Sequence, residues 1–134
     1  MNARFFALLA VTLTATLQAA APKSPDPSVV VELIADAPQI VTPTGVGVDA
    51  KGRVLVIESH THFRPKDYEG PERDRVLMFT MGAKGKANRT IFYEGLLMGM
   101  DLTVAPDGWV YLAERSRILR VRDTNNDGRA DKAE

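Results

Sequence analysis

From Val29 onward the apolar positions fall into short runs, each four to six residues long and each followed by polar or turn-forming residues. The runs are VVVELI (29–34), GVGVD (45–49), RVLVIE (53–58), RVLMF (75–79), TIFY (90–93), DLTV (101–104), WVYLAE (109–114) and RILRVR (117–122). Runs of this length, rich in β-branched and aromatic residues, predict β-strands. Ala50-Lys51-Gly52 and Ala105-Pro106-Asp107-Gly108 separate neighbouring runs and predict hairpin turns.

The pattern repeats. GVDAKGRVLVIE (47–58) aligns with TVAPDGWVYLAE (103–114) at an offset of 56, and RVLMF (75–79) aligns with RILRV (117–121) at an offset of 42. GKAN (85–88) then aligns with GRAD (128–131) at an offset of 43. Four short strands recurring every 40–50 residues or so predict an all-β fold of propeller blades. A propeller closes with about 4–8 blades. About one and a half are legible here, so the expectation is the N-terminal part of a longer protein, cut in its second blade. An independent small β-sandwich is the alternative.

The first residues follow a different logic. Met1–Arg4 carries one positive charge, FFALLAVTLTATL (5–17) is apolar, and Gln18-Ala19-Ala20-Ala21 offers small residues. That order predicts a signal peptide over 1–21 and an exported, periplasmic or envelope-associated protein. An uncleaved anchor helix is the alternative, although the run is short for a hydrocarbon layer of about 30 Å. Residues 22–28 form a linker, leaving 29–134 as the partial propeller domain.

Composition narrows the partners. The chain has 134 residues, 17 basic and 17 acidic, with 45% apolar residues and no cysteine. No basic run suits nucleic acid. Without disulfides an exported domain of this size needs a large core, a metal or more chain.

The drop in offset from 56 to 42 marks 14 extra residues within SHTHFRPKDYEGPERD (59–74). This loop contains both histidines of the chain. Loops held by a rigid scaffold commonly carry binding residues. His60 or His62 could serve as general base, metal ligand or cofactor contact. Arg64 could clamp a carboxylate or phosphate, and Glu58, equivalent to Glu114, should face the same rim. The plainer reading is a surface loop folded on Phe63 and Tyr68.

A second candidate is DTNNDGRADKAE (123–134). Calcium takes about six to eight oxygens from loop positions one, three, five, seven, nine and twelve. Here these are Asp123, Asn125, Asp127, the Arg129 carbonyl, Asp131 and Glu134, with Gly128 at the sharp turn. A metal-free polar hairpin loop is the alternative. The matching MGAKGKAN (81–88) lacks carboxylates, and its Lys84 and Lys86 would repel a cation.

Between Val30 and Asp131 the chain resembles the propeller domain of the planctomycete and verrucomicrobial membrane-bound dehydrogenase family, related to soluble quinoprotein glucose and sorbosone dehydrogenases. The segments carrying the resemblance are VELIADAPQIVTPTGVGVDAKGRVLVIESHTHFRP, DRVLMFT, FYEGL and MDLTVAPDGWVYLAERSRILRVRDTNNDGRAD. It implies six blades, often followed by helical repeats and a haem-binding cytochrome domain. Pyrroloquinoline quinone (PQQ) is implied only by the more distant relatives. ESHTHFRP (58–65) looks like the family's own motif, whereas MGAKGKAN departs from the usual acidic loop.

Three readings follow. The first is an exported dehydrogenase-like propeller that oxidises a sugar or alcohol and passes electrons to a cytochrome. The second is a non-catalytic, calcium-stabilised propeller that binds a carbohydrate or protein partner. The third is a calcium-stiffened scaffold for other domains.

Overall fold

Alternation of side chains along the apolar runs builds two four-stranded antiparallel sheets. The computed structural model describes residues 22–83 and 86–134. Its strands are β1 (Pro43–Val48), β2 (Val54–Glu58), β3 (Asp74–Met81), β4 (Ala87–Leu96), β5 (Gly99–Val104), β6 (Val110–Glu114), β7 (Ile118–Arg122) and β8 (Lys132–Ala133). Each sheet is a meander in chain order, β1-β2-β3-β4 and β5-β6-β7-β8. The expected strands 45–49, 53–58, 75–79 and 90–93 thus share one sheet. No α-helix occurs among the described residues, so none is long and apolar enough to cross a membrane. The expected signal peptide (1–21) and Lys84 lie outside the described residues.

β2 and β3 are apolar on both faces, and this sets the layering. Leu55, Ile57, Val76 and Met78 face the second sheet, where Leu102, Leu112, Leu119 and Val121 complete one core. The opposite face presents Val56, Leu77 and Phe79, covered by Ile34, Ala35 and Ile40. Burying each such side chain contributes about 1.5–3 kcal/mol. The sheets approach most closely at their first strands. A Cβ on Gly45 would fall 2.7 Å from Asp101 Cα, and one on Gly47 would fall 2.6 Å from a methyl of Leu102.

The repeat extends to backbone detail. Gly52 (φ 74°) and Gly108 (φ 85°) occupy equivalent hairpin turns, where a left-handed residue is required. Thr42 (φ 45°) and Met98 (φ 54°), also 56 apart, are both left-handed. Their carbonyls accept hydrogen bonds from equivalent amides, Ser59 and Arg115.

Two expectations are corrected. Val29–Ile34 is not a strand. Strand propensity becomes a strand only where a neighbouring edge supplies hydrogen bonds, and this run pairs with no strand of either sheet. The second sheet is also more than the half blade expected, because β8 pairs with β7 through Val121–Ala133 and Arg122–Lys132 and makes it four-stranded. Chain contacts divide the protein at Glu32/Leu33, and both sheets belong to Leu33–Glu134. Of the other unit, residues 22–32 are irregular, with an Asp26 carboxylate accepting from the Ser28 amide and hydroxyl.

Candidate functional site

β2 ends on Glu58, whose cross-strand partner in β3 is Arg75. The Glu58 carboxylate is buried. Oε2 accepts from Arg75 Nε at 2.9 Å, from Arg75 Nη2, and from His60 Nε2 at 2.9 Å. Oε1 accepts from the Val41 amide at 3.1 Å. Burial pushes the Glu58 carboxyl up, but hydrogen bonds from His60 and Arg75, with the Arg75 charge, outweigh it and hold the group below the usual carboxylate range.

The second sheet repeats this arrangement without a histidine. Glu114 is buried at the end of β6. Its Oε1 accepts from the Leu97 amide at 2.8 Å, and its Oε2 accepts from Arg117 Nε at 2.5 Å. Burial again opposes ionisation, and the Arg117 hydrogen bond, the Leu97 amide and the Arg117 charge overcome it. The carboxylate–arginine–amide unit is therefore part of the repeat. Glu58 does not stand free at a rim as a general base.

What the first sheet adds comes from the 59–74 loop. His60 is buried, and both ring nitrogens are engaged, Nε2 with Glu58 and Nδ1 with the Tyr68 hydroxyl. His60 thus lacks the exposure expected of a substrate-facing base. His62 is exposed, its Nδ1 2.7 Å from Ser59 Oγ. Arg64, also exposed, donates to the Pro71 carbonyl at 2.6 Å and lies over the Tyr68 ring at 5.3 Å. The four expected residues consequently divide. Glu58 and His60 meet in the interior, while His62 and Arg64 lie outside on the same loop.

Sequence reasoning gave Tyr68 only a packing role and missed Asp74 and Arg75. Arg75 had a signal in its alignment with Arg117, but its pairing with Glu58 needs the β2–β3 register. Asp74, fully buried, had none. Its carboxylate accepts from the amides of His60 (2.5 Å), Thr61 (2.8 Å) and Gly99 (2.7 Å) and from the Thr61 hydroxyl (2.9 Å). It ties the start of the loop to the first strand of the second sheet.

The 123–134 segment brings together part of its expected ligand set. Asp123 Oδ2 accepts from the Gly128 amide at 2.9 Å, Asn125 Oδ1 from Asp127 at 3.0 Å, and Asp127 Oδ1 from Arg129 at 2.8 Å. Gly128 takes φ 90°. These bonds wrap the loop around its own side-chain oxygens. Asp123 Oδ1 is buried with no partner, an acceptor that a cation would satisfy. Asp123 Oδ1 is thus the oxygen left open to a cation, while Asn125 Oδ1 and both Asp127 oxygens already accept hydrogen bonds within the loop.

Asp131 and Glu134 are placed differently. Asp131 caps the Thr124 amide (2.9 Å) and hydroxyl (2.7 Å). Those bonds, the hydroxyl first, hold its carboxyl below the usual range. Glu134 exchanges main-chain hydrogen bonds with Arg120. Cross-strand partners share a face, so its side chain meets Arg120 (Nη2 at 2.5 Å) and Lys132 (2.7 Å), not the loop. Among the described residues no three acidic, histidine or cysteine side chains converge on one point.

A family model described as a domain of unknown function, DUF7133, matches residues 24–134. No curated protein matches the chain.

Proposed function

The chain belongs to the DUF7133 family, and from that premise we propose that its two sheets are neighbouring blades of an exported, dehydrogenase-like β-propeller. It oxidises a sugar or alcohol and passes the electrons to a cytochrome. The blade reading is supported by two successive meanders packed first strand to first strand. It is also supported by the apolar residues left exposed on outer faces, Val46, Val48 and Ile118, which further blades would cover. Six blades is the number implied by the resemblance, and export rests on the pattern of residues 1–21.

One observation supports a site on the 59–74 loop. The second sheet builds the Glu–Arg–amide unit from Glu114, Arg117 and Leu97 alone. The loop adds His60 and Tyr68 to the same unit and exposes His62 and Arg64 beside them. In this reading His62 and Arg64 meet the substrate, while Glu58 and His60 act behind them. Calcium, held by Asp123, Asn125, Asp127 and the Arg129 carbonyl, supplies stiffness.

The two clefts along the loop share Glu72 and together carry Arg64, Lys66, Arg73 and Arg75 against Glu69, Glu72 and Glu94. PQQ is implied only by the more distant relatives.

The two sheets alone are expected to be inactive, so the test is a panel of sugars and alcohols offered to the calcium-loaded full-length propeller with a dye that accepts electrons, with and without PQQ. Substrate-dependent bleaching is expected. The burial of Glu58 and His60 favours a second reading, a non-catalytic calcium-stabilised propeller that binds a carbohydrate or protein partner. No bleaching, with a carbohydrate that raises the melting temperature, would support that alternative.

A further inference from the structure

Glu58, His60 and Tyr68 form a chain of hydrogen bonds from the interior to the loop surface. The Glu58 carboxylate can only accept, so His60 carries its hydrogen on Nε2, directed at Glu58 Oε2. The neutral ring then presents the Nδ1 lone pair to the Tyr68 hydroxyl, which donates to it. Tyr68 is half-buried. It borders an open cleft of about 310 Å³ lined by Arg64, Lys66, Glu69 and Glu72. A carboxylate orients an imidazole, and the imidazole is aimed at a hydroxyl at the edge of a cleft. That is the constellation by which a hydroxyl is made a proton acceptor.

Two facts indicate that this chain does more than hold the fold. The equivalent carboxylate Glu114 is satisfied by Arg117 and Leu97, with no histidine or tyrosine. Room is also kept for the phenol, since a Cβ on Gly70 would fall 2.1 Å from Tyr68 Oη. Any larger residue there would push the ring off His60.

We infer that Tyr68 is the reactive end of a Glu58–His60–Tyr68 proton relay and takes the proton of a hydroxyl-bearing ligand bound in the adjoining cleft. The step balances as a proton transfer. The Tyr68 proton passes to His60 Nδ1, the ligand hydroxyl gives its proton to the Tyr68 oxygen, and the imidazolium is held by Glu58. Tyr68 would touch the ligand, with His60 and Glu58 acting through it. The inference deepens the proposed loop site. It concerns proton transfer alone, so its test needs no turnover.

Nitrogen NMR of histidine-labelled protein reads the His60 tautomer directly. The expected result is a proton on Nε2 and a hydrogen-bonded, unprotonated Nδ1, with that Nδ1 bond lost in Tyr68→Phe. Acetylation by N-acetylimidazole, mapped by mass spectrometry, reads the phenol. Tyr93 and Tyr111, also half-buried, are internal controls. Tyr68 should react at least about tenfold faster than either, and Gly70→Ala and His60→Asn should abolish the difference. A proton on Nδ1, or a Tyr68 no more reactive than the controls, overturns the inference. Should His60→Asn fail to fold, the NMR comparison with Tyr68→Phe still decides. Absence of dye bleaching would count against the dehydrogenase reading and leave the relay standing.

Discussion

Glu58 and Glu114 stand at equivalent positions and hold equivalent partners. Each carboxylate accepts from the main-chain amide seventeen residues earlier, Val41 or Leu97, and each pairs with the arginine aligned at the start of the third strand, Arg75 or Arg117. Each thus pins the chain entering its sheet to the third strand.

Both glutamates are buried, but the Arg75 side chain is 17% exposed and that of Arg117 58%, so the two units should differ in worth. Removing one partner of a buried pair strands the other and costs about 3–5 kcal/mol. Glu58→Gln is expected to cost that much in denaturant unfolding. Glu114→Gln should cost less, since water solvates Arg117. Equal losses would contradict the difference in burial.

Both carboxyls are held below the ordinary glutamate value of 4.5. The unfolded chain therefore binds more protons than the folded protein as pH falls below that value. Their contribution to stability is fully present above about pH 4.5–5 and is lost as pH drops through the lower folded values. Melting temperature should be flat near neutrality and fall on acidification, less steeply in Glu58→Gln. An unchanged acid slope in that variant would remove Glu58 from the cause.

Gly45 sits where the two sheets touch, against the Asp101 backbone. Gly45→Ala should cost about 1–3 kcal/mol through overpacking. Gly52→Ala meets no atom but must keep φ 74°, and it should cost roughly 1 kcal/mol. Thermal melts of the two variants compare a packing effect with a backbone effect.

For the 123–134 loop, calcium at about 100 times its Kd should add roughly 2.7 kcal/mol to stability. Asp123→Asn and Asp127→Ala should remove that gain. Glu134→Gln should retain it, because Glu134 faces Arg120 and Lys132. Calorimetry with calcium and with chelator measures this. No shift for the parent protein would leave a polar hairpin loop.

On the candidate site loop, His62→Ala and Arg64→Ala should change stability by less than about 0.5 kcal/mol, as exposed positions do. His60→Ala should destabilise the protein, contrary to the expectation of a free rim histidine, because it removes a buried partner of Glu58. Turnover or ligand binding should fall in all three if the loop is a site. An effect confined to His60→Ala would mark the loop as packing.

Local structure was already written in the order of the residues. Short apolar runs rich in β-branched and aromatic residues specified seven of the eight strands, and Gly52 and Gly108 specified the turns that join them. The offsets 56 and 42 located the inserted loop. These are properties of neighbouring residues, and the strand period and turn geometry act over a few positions. Which strand edges found partners, and where polar side chains were sent, depended on the packing of the two sheets. It left Val29–Ile34 irregular, turned Glu134 toward Arg120 through the β7–β8 register, and carried His60 inward onto Glu58. It also set Tyr68, expected only as packing for its own loop, against the His60 ring, and Asp74, which no sequence pattern singled out, on the His60 amide. Register and burial depend on chain segments far apart in sequence, whose meeting lowers the free energy only once the sheets are packed.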